Sequence, residues 1–368
     1  MNEIALLDRP AASDAALSVD GVRPRIADDK HLLRTAANLT RELNIAKPQM
    51  YWTDMLGSAA LGYAALFTAI FASSTLLAVA AGIVAILALY RAGSFIHELT
   101  HIKPSALPGF RLGWNLLVGI PLLIPSFMYE GVHNLHHAKT RYGTAEDPEY
   151  LPLALMKPWT FPLFLVASTL APVALMARFA LLTPLSLVSP KLRALIVARY
   201  SGLQINPAFR RRPADGDFRR VWLWQEAGAS LWSISLLLLV ATGVVPLRAF
   251  AIFLGVASGT MLLNQVRTLV AHLWENDGEA MSVTAQYLDS VNVPPPGTLP
   301  ALWAPVGLRY HALHHLLPGL PYHALGEAHR RLCAELEEGS LYHRSSHRGL
   351  PPLVGRLAAS SWRGGARR

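Results

Sequence analysis

The sequence predicts an all-α, polytopic membrane protein: four spanning helices in two hairpins, interfacial helices between them, and a helical cytoplasmic cap that carries the histidines. Three observations predict it. Of 368 residues, 52% are hydrophobic and only 15% charged, against about 25% charged in a soluble domain. Two separate stretches are long and apolar enough to cross a bilayer and return. Fourteen histidines are present, and most crowd just outside those stretches.

The first stretch runs from Met55 to Tyr90. At about 1.5 Å per residue a single helix would reach roughly 54 Å, well beyond a hydrocarbon core of about 30 Å. The small polar break Ala72-Ser73-Ser74-Thr75 is the natural turn, so spans are expected near 55–71 and 75–101. The second helix outlasts the apolar zone and carries His97 and His101 past the membrane face. The second hairpin is expected at 227–245 and 247–274, turning at Pro246, which brings His272 to the same face. The apolar stretches near 112–128 and 162–183 contain Pro121, Pro125, Pro162 and Pro172. Either one crossing alone would separate the histidine-rich segments, so both read as interfacial or re-entrant.

The N-terminus stays polar to about residue 50 and lacks the apolar core of a cleaved signal peptide. The chain therefore divides into an N-terminal segment (1–54), a membrane domain (55–330) and a tail (331–368) ending in "SSWRGGARR", which reads as disordered. Basic residues crowd the first 50 residues, the stretch Lys191 to Arg220 and the tail, whereas the two short turns carry only Arg248. By the positive-inside rule both termini and the histidines are cytoplasmic, in what reads as a bacterial inner membrane. That rule also accounts for the net charge of +9, and no nucleic-acid partner is expected. The single cysteine, Cys333, excludes an internal disulfide and a cysteine-ligated cluster. Any transition metal must be held by nitrogen, with or without carboxylate.

"HELTH" (97–101) matches H-E-x-x-H, in which two histidines one helical turn apart bind zinc and the glutamate acts as general base. The same letters fit a site built from histidines alone. Two further boxes favour the second reading: "HNLHH" (His133, His136, His137) and "HALHH" (His311, His314, His315). On helical backbone, positions i, i+3 and i+4 share one face, so each box can aim three imidazoles at one point. Eight boxed histidines exceed what one tetrahedral zinc accepts; two metals with four or five ligands each fit better. The carboxylates Glu98, Glu130, Glu146, Asp147, Glu275 and Asp277 crowd the same face, where some would hold the far nitrogens of ligating histidines.

With "HELTH", "GVHNLHH" followed by "GTAEDPEY", and "RYHALHHLLPGLPYHAL", the sequence resembles the membrane-bound fatty acid desaturases over about residues 50–330. The resemblance implies a non-haem di-iron centre that uses O2 and two electrons to desaturate an acyl chain. It implies as iron ligands His97, His101, His133, His136, His137, His311, His314 and His315, with His272 as the additional family ligand. Some members carry an asparagine four residues before that last histidine; here the position is Thr268, with Asn264 a turn further away. His323 fits the family motif but not the ligand set, and His31, His329, His343 and His347 read as solvated.

An unactivated C–H bond offers no handle to an acid or base, so a metal and O2 are required, and imidazole suits iron among several metals. The substrate is expected to be a fatty acyl chain or lipid entering among the spanning helices. Electrons must come from a separate donor of ferredoxin or cytochrome b5 type, since the chain has neither the "HPGG" haem segment nor the cysteines for a cluster. Hydroxylation or ketolation of a lipid or carotenoid is the alternative within the same chemistry. An intramembrane zinc peptidase using His97, His101 and Glu98, or a receptor or transporter sensing pH through histidine, are rivals from other classes.

Overall fold

The computed structural model describes residues 26–365. Among them the regular elements are helical, and only isolated β-bridges occur outside the helices. Asp29 caps α1 (Lys30–Leu39), its carboxylate accepting from the amides of His31 and Leu32 at 3.0 Å. Pro48 opens α2 (Pro48–Phe71), and Ser74, within the expected turn, caps α3 (Thr75–His101). The second hairpin is α9 (Gly216–Ala241) and α10 (Leu247–Leu269), turning at Pro246. Between the hairpins lie α4 (Phe110–Trp114), α5 (His133–His136), α6 (Thr160–Ala177), α7 (Thr183–Ser186) and α8 (Pro190–Tyr200). The cap follows as α11 (Val283–Asp289), α12 (Pro300–Trp303), α13 (His311–Leu316), α14 (Leu325–Glu335) and α15 (Leu350–Gly365).

Several boundaries differ from the sequence reading. The first and third spans begin at residues 48 and 216 rather than 55 and 227, because polar side chains such as Asp54 and Glu226 find ion-pair partners (the half-exposed Arg91 and the buried Arg178) and need not end a helix. The fourth ends at Leu269, so His272 lies beyond the helix on extended chain. The limits at 54/55 and 330/331 fall inside α2 and α14. The stretch "SSWRGG" belongs to the amphipathic α15 rather than to a disordered tail: Leu353 and Leu357 are buried, and Ser361 donates to the Met156 carbonyl. Residues 1–25 and the closing Ala366-Arg367-Arg368 lie outside the described residues.

Among the described residues five helices, not four, are long and apolar enough to cross a membrane; the additional one runs from Thr160 to Ser186. A π-helical stretch, Arg178–Leu182, interrupts it. There Arg178 donates to Glu226 on α9 at 2.5 Å, to Ser201 Oγ and to the Tyr200 carbonyl. The chain then returns to the second box: the Leu203 amide meets the Met128 carbonyl at 2.8 Å, and the buried Arg211 donates to the Glu130 carbonyl. Helix 160–186 therefore leaves the second and third boxes together.

Phe71, Leu76 and Val244 are 77%, 80% and 69% exposed around the hairpin turns, an apolar surface that suits lipid and not water. The two turns share one side, since Arg248 beside the second donates to the Ala72 carbonyl in the first. Histidines occupy the other end. In a Cys333→Ser background, Val244→Cys and Arg210→Cys are expected to label from opposite sides of sealed vesicles; labelling of both from one side would break this topology. Within the first hairpin Gly62 permits close approach, as a Cβ there would lie 2.6 Å from the Leu89 side chain and 3.1 Å from its backbone nitrogen. Gly62→Val should cost about 1–3 kcal/mol by overpacking, read as a lower unfolding midpoint in detergent. An unchanged midpoint would mean that α2 and α3 part freely.

Candidate metal centre

Each histidine reaches the site by a distinct local route. His97 and His101 close the last turn of α3, and His133 and His136 form α5 with His137 as its C-cap. His311, His314 and His315 lie on α13. His272 is held by backbone: the Val291 amide donates to the Ala271 carbonyl, and the Leu273 amide to the Asp289 carbonyl, at 2.9 and 2.7 Å. The same segment grips α13, with the Ala312 amide on the Val291 carbonyl and the Leu313 amide on Asn292 Oδ1. Trp274 takes a left-handed φ of 60° and packs its indole 4.9 Å from the His272 ring.

The nine histidines converge in two groups, each with ligand atoms within 4.8 Å of one another: His97, His101, His133, His137 and His314 in one, His136, His272, His311 and His315 in the other. The boxes do not each aim at one point, as the helical spacing suggested. Every i,i+4 pair (97/101, 133/137, 311/315) stays together, while the i+3 residues His136 and His314 cross to the other group. The second and third boxes thereby span both groups.

The far nitrogens are fastened individually. His136 Nδ1 donates to the buried Asp147 at 2.9 and 3.0 Å. His133 Nδ1 lies 3.0 Å from Glu149 and 2.9 Å from the Tyr129 hydroxyl, which itself donates to Glu149. His272 Nδ1 meets the Tyr142 and Ser290 hydroxyls at 2.8 and 3.1 Å, and the Tyr142 hydroxyl donates in turn to Asp289 at 2.8 Å. Asp147 is oriented by the Gly143 and Glu149 amides. Gly143 makes that turn at φ +71°, with its Cα so close to Asn276 that a Cβ would come within 2.4 Å of Nδ2.

Burial, reinforced by neighbouring imidazoles, pushes His133, His137, His314 and His315 well below the ordinary histidine range, which keeps them neutral. Burial also works against charge on His136, but the Asp147 and Glu149 carboxylates outweigh it and its pKa is raised. Glu149 and Asp289 are pushed up by burial, to about 7 and about 6.

Hydrogen bonding within the protein leaves these rings incomplete. Among the described residues, both nitrogens of His97 and the Nδ1 of His315 are buried without a hydrogen-bond partner. Nε2 atoms face one another at 3.0 Å (His133 to His137), 3.1 Å (His101 to His314) and 3.2 Å (His137 to His314). Neutral imidazoles offer one lone pair each, and converging lone pairs repel unless a cation lies among them. The donor set, all imidazole nitrogen with carboxylates behind it, fits a pair of transition-metal ions.

Glu98 does not serve as a free base beside His97 and His101. Its Oε2 accepts from the Tyr51 hydroxyl at 2.5 Å and the Tyr322 amide at 3.0 Å, while Oε1 lies 3.6 Å from His97 Nδ1. Of the other acidic residues, Glu130 pairs with Arg111, Glu146 with Arg141 and Glu275 with Arg356. Thr268 turns its hydroxyl onto the Asn264 carbonyl. His323 stands outside both groups and accepts from the Lys47 amide. His329 is buried against Tyr342, not solvated. Sequence reasoning missed Glu149, Tyr142 and Asp289. The alternation Asp147-Pro148-Glu149 beside the second box could have signalled Glu149; nothing local marks Asp289.

Paired apolar helices carrying polyhistidine clusters at one end define a multi-pass membrane protein with a candidate metal centre. The fatty acid desaturase family model matches residues 73–347, and the chain belongs to that family. It is 49% identical over 333 residues, 90% of this chain and 95% of its relative, to a ceramide hydroxylase of Caulobacter vibrioides (strain NA1000 / CB15N). Membership and relative make it an oxidoreductase-type enzyme, with histidine clusters compatible with a di-iron site. The relative moves the balance from desaturation, expected first, to hydroxylation.

Proposed function

We propose that this protein is a di-iron, O2-dependent lipid hydroxylase that places a hydroxyl group on an acyl chain of a ceramide-type lipid. The observation that carries the chemistry is the convergence of nine histidines, seven buried and two half-buried, in groups of five and four; the hydroxylase relative carries the choice of outcome. The five-membered group would hold one iron and the four-membered group the other, with O2 activation at the irons supplying the oxidising power. The balance is one C–H bond, one O2, two electrons and two protons giving one C–OH and one water.

The chain's own residues orient and shield. Asp147, Glu149 and Tyr142 fix three imidazoles by their Nδ1 atoms, leaving Nε2 turned inward. Burial keeps bulk water from the centre. Electrons come from a separate carrier of ferredoxin or cytochrome b5 type, for which the basic cytoplasmic face is the docking side. In a bacterial inner membrane, with the centre cytoplasmic, such a carrier has direct access.

Expression in a host that makes ceramides, followed by lipid mass spectrometry, tests the outcome. The expected product has gained one oxygen atom. A product that has lost two hydrogens and gained no oxygen would make the enzyme a desaturase.

A further inference from the structure

Arg267 faces the four-histidine group with no direct ion pair among the described residues. It is 8% exposed, and among the described residues no carboxylate pairs with it; its side-chain contact is Nη2 to His311 Nδ1 at 2.9 Å. This reverses the pattern at the neighbouring rings. His133, His136 and His272 meet carboxylate or hydroxyl oxygens at Nδ1, which receive a proton and strengthen the opposite nitrogen as a donor to metal. A guanidinium has five N–H donors and no acceptor, so His311 Nδ1 must present its lone pair to Arg267. The ring proton of neutral His311 then sits on Nε2, the atom 3.0 Å from His272 Nε2 and 3.3 Å from His315 Nε2. That is the nitrogen a metal in this group needs. Among the described residues the five-histidine group has no equivalent contact: its hydrogen-bonded far nitrogen, that of His133, faces Glu149 and Tyr129.

Resting on the reading of the two groups as metal sites, we propose that Arg267 is a positioning residue that loosens metal binding at His136, His272, His311 and His315. The four-histidine site is then the labile one of the pair. Arg267 acts through the polarity of one hydrogen bond and through a like charge beside the cation.

Iron release to a chelator tests this without recourse to turnover. Protein loaded anaerobically with iron(II) should lose its metal in two phases of one equivalent each, the first about 10–100-fold faster, the range that outer-shell partners command. His315→Ala protein should retain only the slow equivalent. Arg267→Gln, whose Oε1 can accept from His311 Nδ1–H, should slow the fast phase by about 10–100-fold, whereas Arg267→Lys should leave it fast. A purely structural role predicts the opposite sign, faster release or lower iron content in Arg267→Gln, and would overturn the proposal. So would a single release phase for both irons in the unaltered protein, whether or not any variant folds. Saturation of the unaltered protein at one metal would instead overturn the two-metal reading itself.

Discussion

His272→Ala protein, purified anaerobically with iron supplied, is expected to hold about one iron per chain where the unaltered protein holds two, and to form no product. His272 lies in the four-histidine group, its Nε2 3.0 Å from His311 Nε2 and its Nδ1 fastened to Tyr142 and Ser290. Loss of a partner behind a ligand costs about 10–100-fold in metal affinity or activity, so loss of the ring itself should cost at least as much. His323→Ala is the control, since His323 stands outside both groups and holds only the Lys47 amide. Iron content and product should be compared at equal folded yield. Full iron and near-normal product in His272→Ala would remove it from the site. A protein that saturates with one zinc and cleaves peptides would remove the di-iron reading altogether; the engagement of Glu98 by Tyr51 and Tyr322 argues against that.

Asp147→Ala should be the most damaging change among residues that lie behind the histidines. Asp147 is fully buried and gathers His136 Nδ1 and the amides of Gly143 and Glu149. Removing its carboxylate leaves three donors unpaired and frees the His136 ring. Breaking a buried pair by removing one partner costs about 3–5 kcal/mol, and the metal affinity of the four-histidine group should fall by about 10–100-fold. Chemical unfolding in detergent reads the first effect and iron content the second. Asp147→Asn keeps the shape and one acceptor oxygen, so it should recover much of the stability and less of the iron. If Asp147→Ala unfolds like the unaltered protein, the carboxylate is not what holds His136.

Much of this centre is legible in the sequence because its parts are local. Helical periodicity places His97 and His101 on one face of α3, and it likewise pairs His133 with His137 and His311 with His315. The length of the apolar stretches brings α3 and α10 to the same face, and the composition demands a membrane. Other features are decided by contacts between distant segments. Whether His136 and His314 join their own boxes or cross to the other group depends on how α5 and α13 face each other, which helical spacing does not encode. Asp289 reaches His272 through Tyr142, which lies 147 residues before Asp289 in the chain, and Arg267 meets His311 only because the segment around Val291 presses α13 against the end of α10. The stretch 160–186 is apolar enough to pass for a simple span. Its place is set by the buried pairing of Arg178 with Glu226 and by the return of residues 201–211 to Met128 and Glu130. Sequence by itself determined which histidines are available and on which side of the membrane domain they gather, because periodicity and apolar length are properties of one segment. Tertiary structure decided how they divide and what stands behind each ring, because hydrogen-bond partners are chosen between segments.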